Sequence, residues 1–395
     1  MSDSRSPTTY VAVDADALAH NTRVVLERTS DRARLMAVVK ANAYGHGLVD
    51  AARVFLDAGA TWLGVSSVGE GVTLRESGID AAILVFMPTA PEECPDLVRA
   101  NLTATVSCTE HVRWLHEASE SVEKTASAHV FVDTGLSRLP SDDRAIDMID
   151  TASGLGVKIT GMYTHYGPPG SGAMADGLDL FKSGVSARMF GTLAEDLRST
   201  ADRRDLIIHC AASALLLEEP KTHLDMVRAG TLLYGQYPDH VKKRNLDLRE
   251  AFELRSRLVN IGTVGVGGKI GYGGEFRARR ETRLGTVPVG YAHGLGMLPL
   301  RIAQRGRSAI KGFLTRTGGA WGSTKHLPAV KIRGQQAPIV GRIAMDHCTV
   351  DVTDLFEVEP GDEVVLPVRR VNVSPDIPRI LLRSASSDSD APTGR

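Results

Sequence analysis

The sequence has 395 residues, 46 Lys+Arg against 47 Asp+Glu and a formal net charge of −1; this balance excludes a broad nucleic-acid footprint, which needs a clear basic excess. With 43% hydrophobic and 24% charged residues, it is ordinary globular material, long enough for two or three domains and for a large core without disulfide staples. No apolar secretory leader and no apolar run near the ~18 residues of a membrane span occurs, and Cys94, Cys108, Cys210 and Cys348 lack C-x-x-C spacing, which predicts reduced thiols in a cytoplasmic protein with no membrane partner.

The first ten residues read as an extension. Tyr10–Val13 is a candidate strand and Asp14 a candidate helix N-cap. From about residue 33 to 235, short apolar runs alternate with helix-spaced stretches. The runs are Leu35–Lys40, Thr61–Val65, Ala82–Met87, Leu102–Val106, His129–Asp133, Lys158–Thr164, Leu206–Cys210 and Asp225–Arg228. Helical spacing marks Leu48–Ala58, Pro91–Ala100, Glu110–Ser119, Asp142–Ala152 and Leu178–Arg198. Continuous apolar runs suit buried parallel strands. Eight alternations predict an α/β fold, a (β/α)8 TIM-type barrel; a doubly wound open sheet is the structural alternative, though it usually has fewer units. Near Pro238 the rhythm breaks into a polar connection. Beyond Ala251, short runs separated by Gly and Pro predict an all-β domain: Leu258–Val266, Glu281–Val289, Ser308–Phe313, Ala329–Ile332, Ala337–Val340, Cys348–Val352 and Glu363–Leu366. The expected division is a barrel over 1–240, a β-domain over 241–383 and a disordered Ser/Asp/Pro-rich tail over 384–395.

In a barrel, chemistry collects where strands end and the following loops begin. Those positions hold Lys40, then Tyr44; Asp133, then Arg138; His165; Ser213; and Arg228, then Gly230 and Thr231. Lys40 ends an apolar strand. Either it snorkels to water, or it is a desolvated amine with a lowered pKa, suited to Schiff-base formation. The other rim residues fit the second reading. Ser213, Tyr44 and the N–H groups of Gly230 and Thr231 suit a phosphate, His165 suits the face of an aromatic ring, and Arg228 suits a ring nitrogen. Singly each is weak evidence; together they describe a site for pyridoxal 5'-phosphate (PLP).

Ala37-Val38-Val39-Lys40-Ala41-Asn42-Ala43-Tyr44-Gly45-His46-Gly47 resembles the cofactor-attachment signature of alanine racemases. Further likeness lies at Val132–Arg138, Met162–His165, Asp225–Gly230, Gly271–Gly273, Val289–Ala292 and Gly341–Asp346. The resemblance implies a PLP-bearing barrel, a C-terminal β-domain and a homodimer with shared active sites, acting on a small amino acid. Racemisation takes the α-proton from one face and returns it on the other. The resemblance gives one face to Lys40 and the other to Tyr272 of the partner subunit, while Arg138 and the N–H of Met345 hold the substrate carboxylate. Arg228 would leave the cofactor's ring nitrogen unprotonated, because Arg keeps its proton; this weakens the electron sink and limits side reactions. By itself, the glycine-rich stretch Gly265–Gly274 reads as a hairpin with a turn aromatic, and it does not match G-x-G-x-x-G.

Five positions depart from the family pattern. Phe131 stands where many members have a Lys, Ala212 replaces an Asn, His293 an Asp and Met297 an Arg, and Pro375 falls where a Tyr narrows the substrate entrance. These changes lead to the expectation of alanine or a related, bulkier amino acid as substrate. The alternatives are a decarboxylase or aldolase-type reaction at the same cofactor, or a specialised-metabolism racemase not acting on alanine.

Overall fold

A computed structural model describes residues 7–166, 185–199, 205–238, 241–274, 276–297 and 328–384. Its contacts divide the chain into two units. One takes in Asp14–Ala251, and the other joins the N-terminal residues through Val13 to Phe252–Leu382. The first strand, β1 (Tyr10–Asp14), thus belongs with the C-terminal sheet, and the units meet in sequence at Ala251 and Phe252. The reason is pairing: Tyr10, Val11, Ala12 and Val13 lie antiparallel to Arg255, Leu254, Glu253 and Phe252. Asp14 ends the strand and caps the next helix, Ala15–Arg28, its Oδ1 accepting from the Ala17 N–H at 2.8 Å.

The larger unit is the expected barrel. Its parallel strands are β2 (Arg34–Val38), β3 (Trp62–Val65), β4 (Ala82–Val85), β5 (Thr103–Val106), β6 (Ser127–Phe131), β7 (Lys158–Tyr163), β8 (Ile207–His209) and β9 (Met226–Ala229), in spatial order β8-β7-β6-β5-β4-β3-β2-β9. The ring closes between β8 and β9, where Arg228 N–H donates to the Ala211 carbonyl at 2.9 Å and Asp225 N–H to that of Ile208 at 3.1 Å. Every expected run holds a strand, because a strand covered on both faces needs apolar residues at consecutive positions. Met36, Trp62, Leu84, Phe131, Tyr163 and Met226 fill the interior from six of these strands, which makes the barrel a packed core rather than a pore. The helix expected over Leu178–Arg198 is described from Val185 onward; the earlier part lies outside the described residues.

The second unit carries β10 (Phe252–Arg257), β11 (Asn260–Val264), β12 (Lys269–Ile270), β13 (Phe276–Arg277), β14 (Thr282–Val287), β15 (Ala329–Ile332), β16 (Gln335–Val340), β17 (Cys348–Asp351), β18 (Glu363–Leu366) and β19 (Arg379–Leu382). The main sheet runs β11-β14-β17-β16-β15-β18-β10-β1-β19, with β12 and β13 as a separate hairpin. The strand expected at Ser308–Phe313 lies outside the described residues, as does all of the expected tail except Ser384. At the departures near the C-terminus, Pro375 sits in a loop tied by Arg379, whose guanidinium donates to the Ser374 and Pro375 carbonyls at 2.8 and 2.9 Å. His293 Nδ1 accepts from Gly290 N–H at 3.1 Å, and the Met297 carbonyl accepts from Asn372 Nδ2 at 3.2 Å. Among the described residues no helix is long and apolar enough to cross a membrane.

Candidate active site

Lys40, Tyr44, Arg138, His165, Ser213, Arg228, Gly230 and Thr231 all line one cavity of about 370 Å³ at the barrel rim. Strand ends that are far apart in sequence meet here because each β/α unit releases its loop at the same end of the barrel. The same cavity is also lined by the apolar side chains of Phe86, Met87, Phe131 and Leu139.

Lys40 follows the apolar end of β2, and burial depresses its amine pKa, with the Arg138 charge adding to the effect and Glu70 opposing it. The four residues after it run against chain chirality. Ala41, Asn42, Ala43 and Tyr44 all have φ between 52° and 54°, a left-handed turn. For L-residues this costs roughly 1–2 kcal/mol each, so the turn has to be held from outside. Several groups hold it. Ala43 N–H donates to the Val39 carbonyl at 2.7 Å, and Asn42 Oδ1 accepts from Leu48 N–H at 2.8 Å to start the helix Leu48–Asp57. Glu70 bonds the Asn42 N–H at 3.2 Å and the Ser66 N–H at 2.9 Å. Fully buried Tyr234 packs its ring against those of Tyr44 and His46 at 4.8 and 4.6 Å and donates its hydroxyl to the Val38 carbonyl at 3.0 Å. Sequence reading placed Lys40 and Tyr44 in the site but missed the turn, since nothing in Ala-Asn-Ala favours positive φ strongly.

The turn delivers Tyr44 to Gly230. A Cβ built on Gly230 would stand 2.5 Å from the Tyr44 hydroxyl, so only glycine leaves that oxygen its place. Gly230 N–H donates to Ser213 Oγ at 3.1 Å, which gathers two hydroxyls and the start of the Thr231–Tyr234 turn in one corner.

Arg228 is buried, and burial lowers its pKa to about 10. Its Nη1 donates to His209 Nδ1 at 2.8 Å, and its Nη2 to the Thr164 and Cys210 carbonyls at 2.9 and 3.2 Å and more weakly to His165 Nδ1 at 3.4 Å. Nε makes no hydrogen bond among the described residues. Because Arg only donates, His209 Nδ1 must accept and its proton sits on Nε2. That Nε2 lies 3.0 Å from His129 Nδ1, so His129 in turn carries its proton on Nε2, which has no partner. The chain of bonds requires both rings neutral. Burial enforces this, lowering His129 to about 3 and His209 and His165 well below the ordinary value of 6.5, with the Arg228 charge adding to each shift. Tyr163 supports the group: its ring stacks on His209 at 4.8 Å and lies 5.3 Å from the Arg228 guanidinium carbon. His129 fits because β7 shifts register opposite it and Gly161 has no Cβ, which would lie 2.7 Å from the imidazole Nε2. The available signal for His129 and His209 was a polar residue inside an otherwise apolar barrel strand.

Phe131 is 3% exposed and packs edge-on against Tyr163 at 5.1 Å. Arg138 has no hydrogen-bond or ion-pair partner among the described residues.

Tyr272 and Met345 belong to the second unit. Tyr272 is 69% exposed in a short turn after β12, and Met345 is 59% exposed. Their loops touch within that unit, since a Cβ on Gly271 would meet the Arg342 nitrogen at 3.0 Å. Met345's carbonyl accepts from Ala292 N–H at 3.0 Å.

Two family profiles match the chain: "Alanine racemase, N-terminal domain" over residues 13–238 and "Alanine racemase, C-terminal domain" over residues 251–377. A relative named alanine racemase from Desulfosudis oleivorans is 34% identical over 369 residues, covering 90% of this chain and 86% of its own. A solved alanine racemase from Clostridium difficile has a TM-score of 0.80 at 26% identity, covering 96% of this chain and 97% of its own. Another, from a D-cycloserine-producing Streptomyces lavendulae, has a TM-score of 0.74 at 28% identity and covers 96% and 98%.

Proposed function

The chain belongs to the alanine racemase family, and from that premise we propose that it interconverts L- and D-alanine with PLP as cofactor. The observation that carries the cofactor assignment is the cavity itself. A desolvated amine, a corner of hydroxyls and backbone N–H groups, and a buried guanidinium with one nitrogen uncommitted converge on its wall.

These residues fit PLP. Ser213, Tyr44, Gly230 and Thr231 would hold the phosphate, Arg228 Nε the ring nitrogen, His165 the ring face, and Lys40 the aldehyde carbon. When bound, PLP supplies an aldehyde that condenses with amines and an electron sink that acidifies the substrate's α C–H. The protein supplies the proton bookkeeping. The depressed pKa of Lys40 leaves more of it neutral near pH 7, so that it would be able to add to a carbonyl and, once a substrate amine has displaced it, to accept a proton as a free amine. Arg228 donates without giving up its proton, and the neutral His209–His129 pair absorbs no proton from it. Arg138 offers an uncommitted guanidinium to the substrate carboxylate, with the N–H of Met345 as a second donor. Tyr272, from the partner subunit of a homodimer with shared sites, serves the opposite α face. A cytoplasmic setting fits four free thiols.

A related, larger amino acid is the second reading, favoured by the apolar lining of Phe86, Met87, Phe131 and Leu139. A kinetic panel of L-amino acids, read by chiral chromatography, decides between the two. For the shared site, inactive Lys40→Ala and Tyr272→Phe chains are mixed and re-equilibrated. Each mixed dimer then holds one intact site, and about a quarter of full activity returns; no recovery after confirmed exchange of subunits would rule out sharing.

A further inference from the structure

We propose that Glu70 is the positioning residue of the reactive lysine: its carboxylate clasps the left-handed turn that follows Lys40 and fixes the amine relative to the phosphate corner. The inference deepens the reading of this cavity as a cofactor site and rests on it.

Four L-residues in the left-handed region do not stay there unaided. Most bonds holding the turn come from the turn itself or its flanks, such as Ala43 to Val39 and Gly47 to Asn42. Glu70 is different, because it stands on another β/α unit, in the helix Val68–Glu76. One oxygen takes the Asn42 N–H, the second residue of the turn, and the other takes the Ser66 N–H just past β3. Two neighbouring rim loops are therefore joined through one carboxylate, with Lys40 at the start of one of them. Charge-assisted bonds of this kind are the stronger sort. The helix places Glu70 by its own start, where Ser67 Oγ accepts from Glu70 N–H at 3.3 Å. The carboxylate also faces Lys40 electrostatically, holding its proton where burial and the Arg138 charge expel it; His165 is the other titratable group that interacts with the amine. Glu70 thus opposes the desolvation of Lys40 without touching the substrate.

The test uses the full chain, with and without PLP, in three forms: unaltered, Glu70→Gln and Glu70→Ala. Gln keeps the size of Glu but has one acceptor oxygen, so it can satisfy only one of the two N–H groups. The first readout is amide hydrogen exchange over residues 41–48, read by mass spectrometry. It is expected to rise by about tenfold or more in Glu70→Ala and by less in Glu70→Gln, while the strands β4–β6 keep their protection. In the second, acetylation of Lys40 is followed against pH in the PLP-free chain, and its midpoint moves to lower pH in both variants. A uniform rise in exchange across the barrel would make Glu70 a general stabiliser and overturn the proposal. So would unchanged exchange at 41–48 or an unmoved midpoint. If the PLP reading is wrong, the chain takes up no PLP but both Glu70 effects persist, so the two failures are distinguishable.

Discussion

Lys40 and Tyr272 both stand in turns that leave the right-handed region, but by different means. After Lys40 the left-handed positions are Ala41, Asn42, Ala43 and Tyr44, side chains that resist such backbone; around Tyr272 they are Gly271, Gly273 and Gly274, which accept it freely. The first turn is strained and held by Glu70, Tyr234 and Asn42, whereas the second is relaxed and its tyrosine is largely exposed. Strain kept at one position and absent at the other marks where geometry has been fixed in advance. Lys40 is tuned within its own unit. A phenol works as a base only with positive charge or hydrogen bonds nearby, and among the described residues the Tyr272 hydroxyl makes no hydrogen bond. In the role proposed for it, Tyr272 would take its tuning from outside its own turn, as the proposed sharing of sites between subunits requires.

Substitutions can sharpen or break this contrast. Lys40→Ala should cost the most, at least about 10⁴-fold in racemisation, with loss of the visible absorbance of lysine-bound cofactor; a retained band would place the attachment elsewhere. Tyr272→Phe should lower racemisation by about 10²–10⁴-fold. In D₂O one enantiomer should still exchange its α-proton while the other stops. Equal exchange of both would remove Tyr272 from the second face.

Gly230→Ala acts on the strained side. The new methyl displaces the Tyr44 hydroxyl, and overpacking of ~1–3 kcal/mol should weaken PLP binding by about tenfold, measurable by cofactor titration. Acid should separate the units. His129, His165 and His209 are held neutral in the folded barrel, with His129 at about 3 against an ordinary 6.5. The unfolded chain therefore binds more protons below pH 6.5, and this contribution to stability is complete above that value and lost as pH falls toward 3. Hydrogen exchange should show barrel segments losing protection first on acidification, and His129→Gln should flatten the dependence.

The smallest effects are the most direct comparison. Ala41→Gly should leave thermal stability unchanged or raise it by less than about 1 kcal/mol, because relief of strain slightly exceeds the entropy lost by the chain. Gly273→Ala, the reverse change in the relaxed turn, should destabilise by about 1 kcal/mol. The contrast fails if both shift the melting temperature in the same direction.

Much of the fold was legible because its signal is local. Buried parallel strands need consecutive apolar residues, so each of the eight runs could be read where it stands. Lys40, Tyr44, His165, Ser213 and Arg228 could be assigned to one rim because strand ends of a barrel share a face. Asp14 was legible as a cap from its own side chain. What was hidden depends on partners remote in sequence. Tyr10–Val13 reads as a strand, but its pairing with Phe252–Arg255 is invisible from either segment alone. Phe131 reads as a departure from a family pattern, and only packing shows it filling the barrel beside Tyr163.

The sequence by itself determined the barrel's β/α alternation, the β-rich character of the C-terminal part and the residue types gathered at the barrel mouth, because hydrophobic period and residue type act over a few neighbouring positions. Only the tertiary structure decided that Ala41–Tyr44 turn left-handed and that His129 and His209 share one proton arrangement with Arg228. The physical reason is that backbone strain and imidazole tautomers are set by contacts 28, 80 and 196 residues apart, from Glu70 to Asn42, His129 to His209 and Tyr234 to Val38. No short stretch of the chain contains both partners of such a bond.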